Sequence, residues 1–262
     1  MDFGEPPSLR EGSMVREHVA DLRAIVREER GRWSDSALLA RLDPGVLQEF
    51  LDASVLVRFD RNAVLVRQDG TDTDIYLLLS SYVKVTAKFG DGRSALLAIR
   101  AGGDVVGELA ASGGGRRIAT VIACAKEPVY AAKIAATDFL WLASRHPASL
   151  VLLTNALGRK LTTATRRRVD NSGRPPLIRL ARVLVELADD HGVALTDESV
   201  LIGVDLTQFE LGSLIGMRES SVLRALRELK QQNLVDTSGR RPVVRNLEML
   251  RAIAYPAEDT VK

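Results

Sequence analysis

Hydrophobic and polar positions change rhythm several times along this chain. Val15, Val19, Leu22 and the Ile25/Val26 pair recur at spacings of three and four, which predicts an amphipathic helix over residues 15–29. Leu38, Leu39, Leu42, Val46, Leu47 and Phe50 carry that spacing through a second helical stretch, residues 35–52. From Val55 to about Ala136 the rhythm becomes one of short β-prone runs: SVLVRF, AVLVRQ, DIYLLLSSYVKVTAKF, SALLAI, RIATVIACA and PVYAAKIA. Turn residues separate the runs at 60–62, 69–72, 90–92 and 102–104. Many short strands at this spacing predict a sandwich or jelly-roll barrel.

A helical period returns over residues 138–169. Leu150, Leu153, Leu157, Leu161 and Ala164 form an apolar stripe, read here as a self-association seam rather than as packing on the chain's own barrel. The sequence DNSGRPP, residues 170–176, predicts a break and a hinge, and a further helix is expected over 177–188. Residues 1 to about 13 are rich in Gly, Pro and Glu and lack any period, the pattern of a loose tail.

The most informative segment is TQFELGSLIGMRESSVLRALRELKQQNLV, residues 207–235. Apolar or small residues at Leu211, Gly212, Ile215, Met217, Val222 and Ala225, with Gly216 between two helical stretches, match what a helix-turn-helix requires. A small residue lets the helices cross closely, and a glycine accepts the left-handed turn. Thr207 and Glu210 form a T-x-x-E capping box at the first helix. The second helix then presents Arg218, Glu219, Ser220, Ser221, Arg224 and Arg227, a face suited to phosphates and base edges. Residues 237–244, TSGRRPVV, read as the wing of a winged helix, with Arg240 and Arg241 placed for phosphate contact. Seven basic residues face four acidic ones between Thr207 and Arg245, although the whole chain of 262 residues carries only +2. The expected partner is double-stranded DNA rather than polyanions in general.

Composition narrows the remaining classes. One cysteine, Cys124, cannot form an internal disulfide, and its apolar run points to a buried inert thiol. His18, His146 and His191 are scattered and match no metal spacing, so no metal site is expected. There is no signal-peptide core and no apolar run long enough to span a membrane, which gives a cytoplasmic expectation without membrane attachment. No nucleophile–base pair, metal ligand set or carboxylate dyad accompanies the motifs below, so no catalytic residues are assigned and the chain is not expected to be an enzyme.

The barrel region carries its own chemical signal: Val106, Gly107, Glu108, Leu109 and Ala110, then a loop with Gly113, Gly114 and Gly115, then Arg116, Arg117, Ile118, Ala119 and Thr120. Glycines let main-chain N–H groups approach an anion, a guanidinium neutralises a phosphate, and a carboxylate accepts from sugar hydroxyls. This G-E-L-A, loop, R-x-A-T pattern resembles the phosphate-binding cassette of cyclic-nucleotide-binding domains. With the order barrel, long helix, hinge and winged helix-turn-helix, residues 35–250 resemble the Crp/Fnr transcription regulators. The resemblance implies an α+β fold: an N-terminal β-roll (jelly-roll) cyclic-nucleotide-binding domain, a long dimerisation helix and a C-terminal winged helix-turn-helix. The implied division is 1–34 flexible tail and N-terminal helix, 35–147 β-roll, 148–173 dimerisation helix and hinge, and 174–250 DNA-binding domain.

By position, the resemblance implies that Glu108 takes the ribose 2′-hydroxyl and Arg117 the cyclic phosphate. Gly107, Leu109, Ala110, Ile118 and Ala119 complete the cradle. Thr165, with Thr163 as the alternative, would offer a hydroxyl to a purine from the long helix; the competing reading is back-bonding to helix carbonyls. Two departures stand out. Ile118 replaces the Ser or Thr of many bacterial members, and Ser81 stands where a turn glycine is usual. The implied effector is cAMP, the implied partners are a two-fold symmetric operator, a second copy of the chain and RNA polymerase, and the alternative is a DNA-binding regulator that is nucleotide-independent or senses another effector. Of the base-reading positions, filled by Glu219, Ser220 and Arg224, only Arg224 keeps a basic side chain.

Overall fold

The computed structural model describes residues 13–90, 92–113, 115–196 and 198–256, and the tail expected before residue 13 lies outside them. The chain divides into two compact units, Met1–Lys88 with Ile99–Arg159, and Phe89–Ala98 with Lys160–Lys262.

In the first unit, α1 spans Ser13–Glu29, as the apolar spacing predicts. The stretch expected as one helix over 35–52 is two, α2 (Leu38–Arg41) and α3 (Pro44–Asp52). Pro44 has no N–H to continue a helix, and the Asp43 carboxylate accepts from Gly45 N (2.8 Å) and Val46 N (3.3 Å), starting a new one. The strands follow: β1 (Val55–Phe59), β2 (Val64–Val66), β3 (Ile75–Leu78), β4 (Tyr82–Lys88), β5 (Ser94–Ala101), which passes from the second unit into the first at Ile99, and β6 (Val105–Val106). After α4 (Glu108–Gly113) come β7 (Thr120–Ala123) and β8 (Val129–Ile134), then α5 (Ala136–Arg145). The run DIYLLLSSYVKVTAKF therefore makes two strands. It turns at Ser81, whose φ of 61° is the left-handed conformation for which glycine is usual, and a side chain there costs about 1 kcal/mol.

Strand order is β1-β8-β3-β6 in one sheet and β2-β7-β4-β5 in the other. Period two sorts the first sheet's residues to its two faces. Tyr76, Leu78, Val106, Val129 and Ala131 join Leu65, Val66, Val83, Val121 and Ala123 between the sheets. Ile75, Leu77, Val105, Ala132 and Ile134 face the helical layer of Leu22, Leu39, Leu47, Phe50, Phe139 and Leu142. Burying each such leucine contributes about 1.5–3 kcal/mol. Cys124 is buried, its thiol against Tyr82 O at 3.3 Å, in keeping with an inert role.

Residues 138–169, expected as a single helix, also divide, because Pro147 ends α5 and opens α6 (Pro147–Gly173). The apolar stripe on α6 splits accordingly. Leu153 is buried in the core beneath the first sheet, whereas Leu150 and Leu161 are exposed.

In the second unit α6 continues to Gly173, so the break expected at residue 170 comes four residues later, at Arg174–Pro175. Arg174 N still bonds Asp170 O at 2.9 Å, and the helical ladder fails only where the two prolines supply no donors. Then follow α7 (Pro176–His191), β9 (Gly192–Ala194), β10 (Val200–Ile202), α8 (Gln208–Leu214), α9 (Glu219–Gln231), β11 (Val235–Asp236), β12 (Val243–Val244) and α10 (Leu247–Ala254). The small sheet runs β11-β12-β10-β9. Leu180, Val183, Leu184 and Leu187 recur at three and four and bury one face of α7, which packs against α9 and α10. No described helix is long and apolar enough to cross a membrane.

Candidate functional site

Two constellations carry the chemistry, one in each unit. The first forms where β6 ends. Gly107 takes φ 95°, and a Cβ there would lie 2.7 Å from Asp74 O and 2.8 Å from Arg117 Nη1, so only glycine fits. α4 begins at once with Glu108, 4 % exposed. Arg117, 3 % exposed, precedes β7 and turns inward. Its Nη1 donates to Gly107 O (2.7 Å), and Nη2 donates to Asp74 O (2.6 Å) and to Asp72 Oδ1 (2.7 Å), while Nε is buried without a partner. The main chain is held as well, with Asp69 N donating to Arg117 O (2.8 Å) and Arg117 N donating to Gly70 O (3.1 Å). Behind it Lys133 Nζ meets Asp74 Oδ2 at 2.7 Å, and that bond raises the lysine pKa. Burial raises the Tyr76 hydroxyl on the neighbouring strand.

The cassette residues are thus brought together unevenly. Gly107, Glu108, Ala110, Arg117 and Ala119 line buried positions or the turn itself, whereas Leu109 is exposed and Ile118 is 70 % exposed. Of the loop glycines, Gly113 is the last residue of α4 and Gly115 is exposed, with nothing within 4 Å of the place a Cβ would take. Arg116 faces solvent. Thr163 is half-buried and Thr165 exposed on α6 within the second unit. Sequence reasoning missed Asp72 and Asp74. The one available signal is the density of carboxylates in QDGTDTD, of which the turn at 69–72 takes in Asp72 and the following β-prone run takes in Asp74.

The second constellation is the helix-turn-helix. Thr207 Oγ1 accepts from Glu210 N (3.1 Å) and Glu210 Oε2 accepts from Thr207 N (2.9 Å), the reciprocal capping box. A Cβ on Gly212 would stand 2.6 Å from Met217 O, so the close crossing depends on that glycine, and Gly216 makes the turn at φ 62°. Along α9, Val222, Ala225, Leu226 and Leu229 are buried, while Glu219, Ser220, Arg224 and Arg227 are exposed and Ser221 half-buried. Arg218 is exposed at the N-cap position rather than inside the helix. The wing begins earlier than expected, since its strands are β11 and β12 and residues 237–242 form the tip. Arg240 is exposed on that tip, whereas Arg241 is half-buried and leans on Asp205 at 3.5 Å. At the base of the wing Asp236 accepts from Ser238 N (2.8 Å) and Arg245 Nη2 (2.8 Å). The end of α6 docks on the turn: with its amide nitrogen toward both carbonyls, Asn171 donates to Ile215 O (2.6 Å) and Arg167 O (3.2 Å). Asp170 pairs with Arg182 at 2.5 Å.

A β-roll with a buried Glu–Arg cassette, a long helix and a winged helix-turn-helix define a DNA-binding regulator with its own ligand-binding domain. The cyclic nucleotide-binding domain profile matches residues 56–146, and the Crp-like helix-turn-helix domain profile matches 178–253. The cAMP-activated global transcriptional regulator CRP of Haemophilus influenzae is 26 % identical over 203 residues, 77 % of this chain and 88 % of that one. Among solved structures, the c-di-GMP responsive global regulator CLP of Xanthomonas campestris superposes with a TM-score of 0.66 at 20 % identity, covering 78 % of this chain and 100 % of that one. A CprK variant complexed with OCPA gives 0.60 at 20 % identity, covering 79 % and 92 %. A cyclic nucleotide-binding domain followed by a Crp-like helix-turn-helix domain is the architecture of the Crp/Fnr transcription regulators, the family that both matches support.

Proposed function

We propose that this regulator is a homodimer whose affinity for a two-fold symmetric operator changes when a cyclic nucleotide, cAMP, occupies the β-roll. The observation that carries the reading is the pair of buried ionic side chains in one cassette, Glu108 and Arg117, with Arg117 bound to the carbonyl of Gly107 next to Glu108. A carboxylate suits ribose hydroxyls and a guanidinium suits a cyclic phosphate. Gly107, Leu109, Ala110, Ile118 and Ala119 would form the rest of the cradle, and Thr165 or Thr163 would meet the purine. The similarity to a cAMP-activated regulator supports the choice of nucleotide. Self-association is supported by α6, where Leu150 and Leu161 are exposed and Leu161 reaches 69 %. DNA contact is assigned to Arg218, Glu219, Ser220, Ser221 and Arg224 of the recognition helix and to Arg240 and Arg241 of the wing, with RNA polymerase as a further partner. Calorimetric titration with cAMP tests the effector: Arg117→Ala should lose the binding heat while its circular dichroism stays that of the parent, and equal heats overturn the assignment.

One observation favours a different effector on the same DNA-binding frame. Ile118 offers an exposed apolar side chain where a hydroxyl would meet phosphate, and Leu109 is exposed beside Glu108. The similar structures include regulators described with c-di-GMP and with OCPA. Operator binding measured with and without cAMP separates the two, since an unchanged affinity selects this second reading.

A further inference from the structure

The segment between β2 and β3 does more than connect them. Its main chain clamps Arg117 on both sides through Asp69 N and Gly70 O, and the positive φ of Asp69 (64°) bends the loop back over that arginine. Gly70 sits at the bend, where a Cβ would stand 2.9 Å from Arg67 O and 3.1 Å from Asp72 Oδ2. The bend delivers Asp72 Oδ1 to Arg117 Nη2 at 2.7 Å. The two side chains differ sharply in exposure: that of Asp72 is 48 % exposed and that of Arg117 only 2 %. The carboxylate therefore occupies the solvent side of the guanidinium, and the main-chain oxygens of Gly107 and Asp74 occupy other donors.

We propose that Asp72 is an internal counter-ion held at the anion position of the cradle, and that it sets how strongly this site takes a phosphate ester. The proposal rests on the nucleotide reading above. A cyclic phosphate reaching Arg117 meets a carboxylate of its own sign, with one buried positive charge to share between two anions. Lys133, which meets the side chain of the other aspartate on this segment, is bound to Asp74. Binding is thus an exchange in which phosphate replaces Asp72, and because Asp72 and the Asp69–Gly70 clamp belong to one loop, the exchange loads that loop. A pair serving only the stability of the fold would behave differently, since removing its charge would leave phosphate affinity unchanged or lower.

The test uses the full-length protein with Asp72→Asn, which keeps the shape and an oxygen acceptor but removes the charge, Asp72→Glu, which keeps the charge, and Asp72→Ala. Calorimetric titration with cAMP should give Asp72→Asn and Asp72→Ala roughly tenfold or more tighter binding than the parent, with Asp72→Glu close to the parent. Without nucleotide the two neutral variants should melt lower than the parent, and saturating cAMP should raise their midpoints by more. Parent and neutral variants binding cAMP equally, or the variants more weakly, would overturn the Asp72 assignment and leave the nucleotide reading standing. Absence of cAMP binding in the parent and every variant would remove the nucleotide reading and this proposal with it.

Discussion

Arg117 and Arg224 carry the same guanidinium in opposite surroundings. Arg117 is buried and satisfied almost entirely by its own fold, through two main-chain oxygens and one carboxylate. Arg224 stands in solvent on α9, above a helix face anchored by Val222, Ala225 and Leu229. A buried charge has to be paired before any ligand arrives, so its binding is a replacement of partners. An exposed one gives up only water and counter-ions, so its binding is strongly salt-dependent. On the function proposed above, the β-roll would take its ligand by exchange and the α9 face would take DNA by attraction.

Two glycines offer the most severe way to break this contrast. A Cβ at Gly107 would strike Asp74 O and Arg117 Nη1, and one at Gly216 would lie 2.5 Å from the Asn171 amide, both at positive φ. Gly107→Ala and Gly216→Ala should each cost about 2–4 kcal/mol in the unit concerned. The first should remove nucleotide binding and the cAMP-dependent change in operator affinity while leaving the operator affinity measured without cAMP intact, and the second should abolish operator binding and spare nucleotide binding. Denaturant melts with the two binding assays, run with and without cAMP, check this; loss of nucleotide-free operator binding in Gly107→Ala, or of nucleotide binding in Gly216→Ala, would show that the units are not separable. A smaller effect is expected at Arg224→Ala, about 1–3 kcal/mol in operator affinity together with relaxed base preference in selection from random DNA. An unchanged selected site would remove Arg224 from base recognition.

The mildest test concerns the wing. Bonding from the Ser238 N–H, reinforced by Arg245, lowers the Asp236 pKa to about 2. A carboxylate whose folded value lies below its unfolded value of about 3.9 stabilises above that unfolded value and loses the contribution as pH falls through about 2. The difference in melting temperature between parent and Asp236→Asn should therefore be constant above pH ~4 and shrink toward zero near pH ~2. A difference that persists at the acid end would mean that shape, not charge, holds the wing.

What could be read from residues alone follows from how local the cause is. The capping box at Thr207 and Glu210, the Gly216 turn and the buried stripe of α9 depend on neighbours three or four positions apart, and each appears where the spacing places it. Strand existence in the β-roll was legible from short β-prone runs between turn residues, and Ser81 was marked by the resemblance, which places a glycine at the turn where the structure shows a positive φ. Pairings were not legible, since β1 lies beside β8 across the whole domain. The same distance hid the Asp72–Arg117 pair, whose members are 45 positions apart. Helix boundaries failed at Pro44 and Pro147, where apolar spacing continued across a residue that cannot donate. The break expected at residue 170 was misplaced for the converse reason: Asp170 and Asn171 are weak helix formers, but Arg182 and the carbonyl of Ile215 hold them in helix.

That last contact has a mechanical consequence. Because the Asn171 amide fills the space that Gly216 leaves empty, the final turns of α6 and the corner of the reading motif interlock like a key in its ward. Twisting the helix end must drag the corner along or unseat the amide from the Ile215 carbonyl. Slack for reorienting the reading head therefore has to come from another joint.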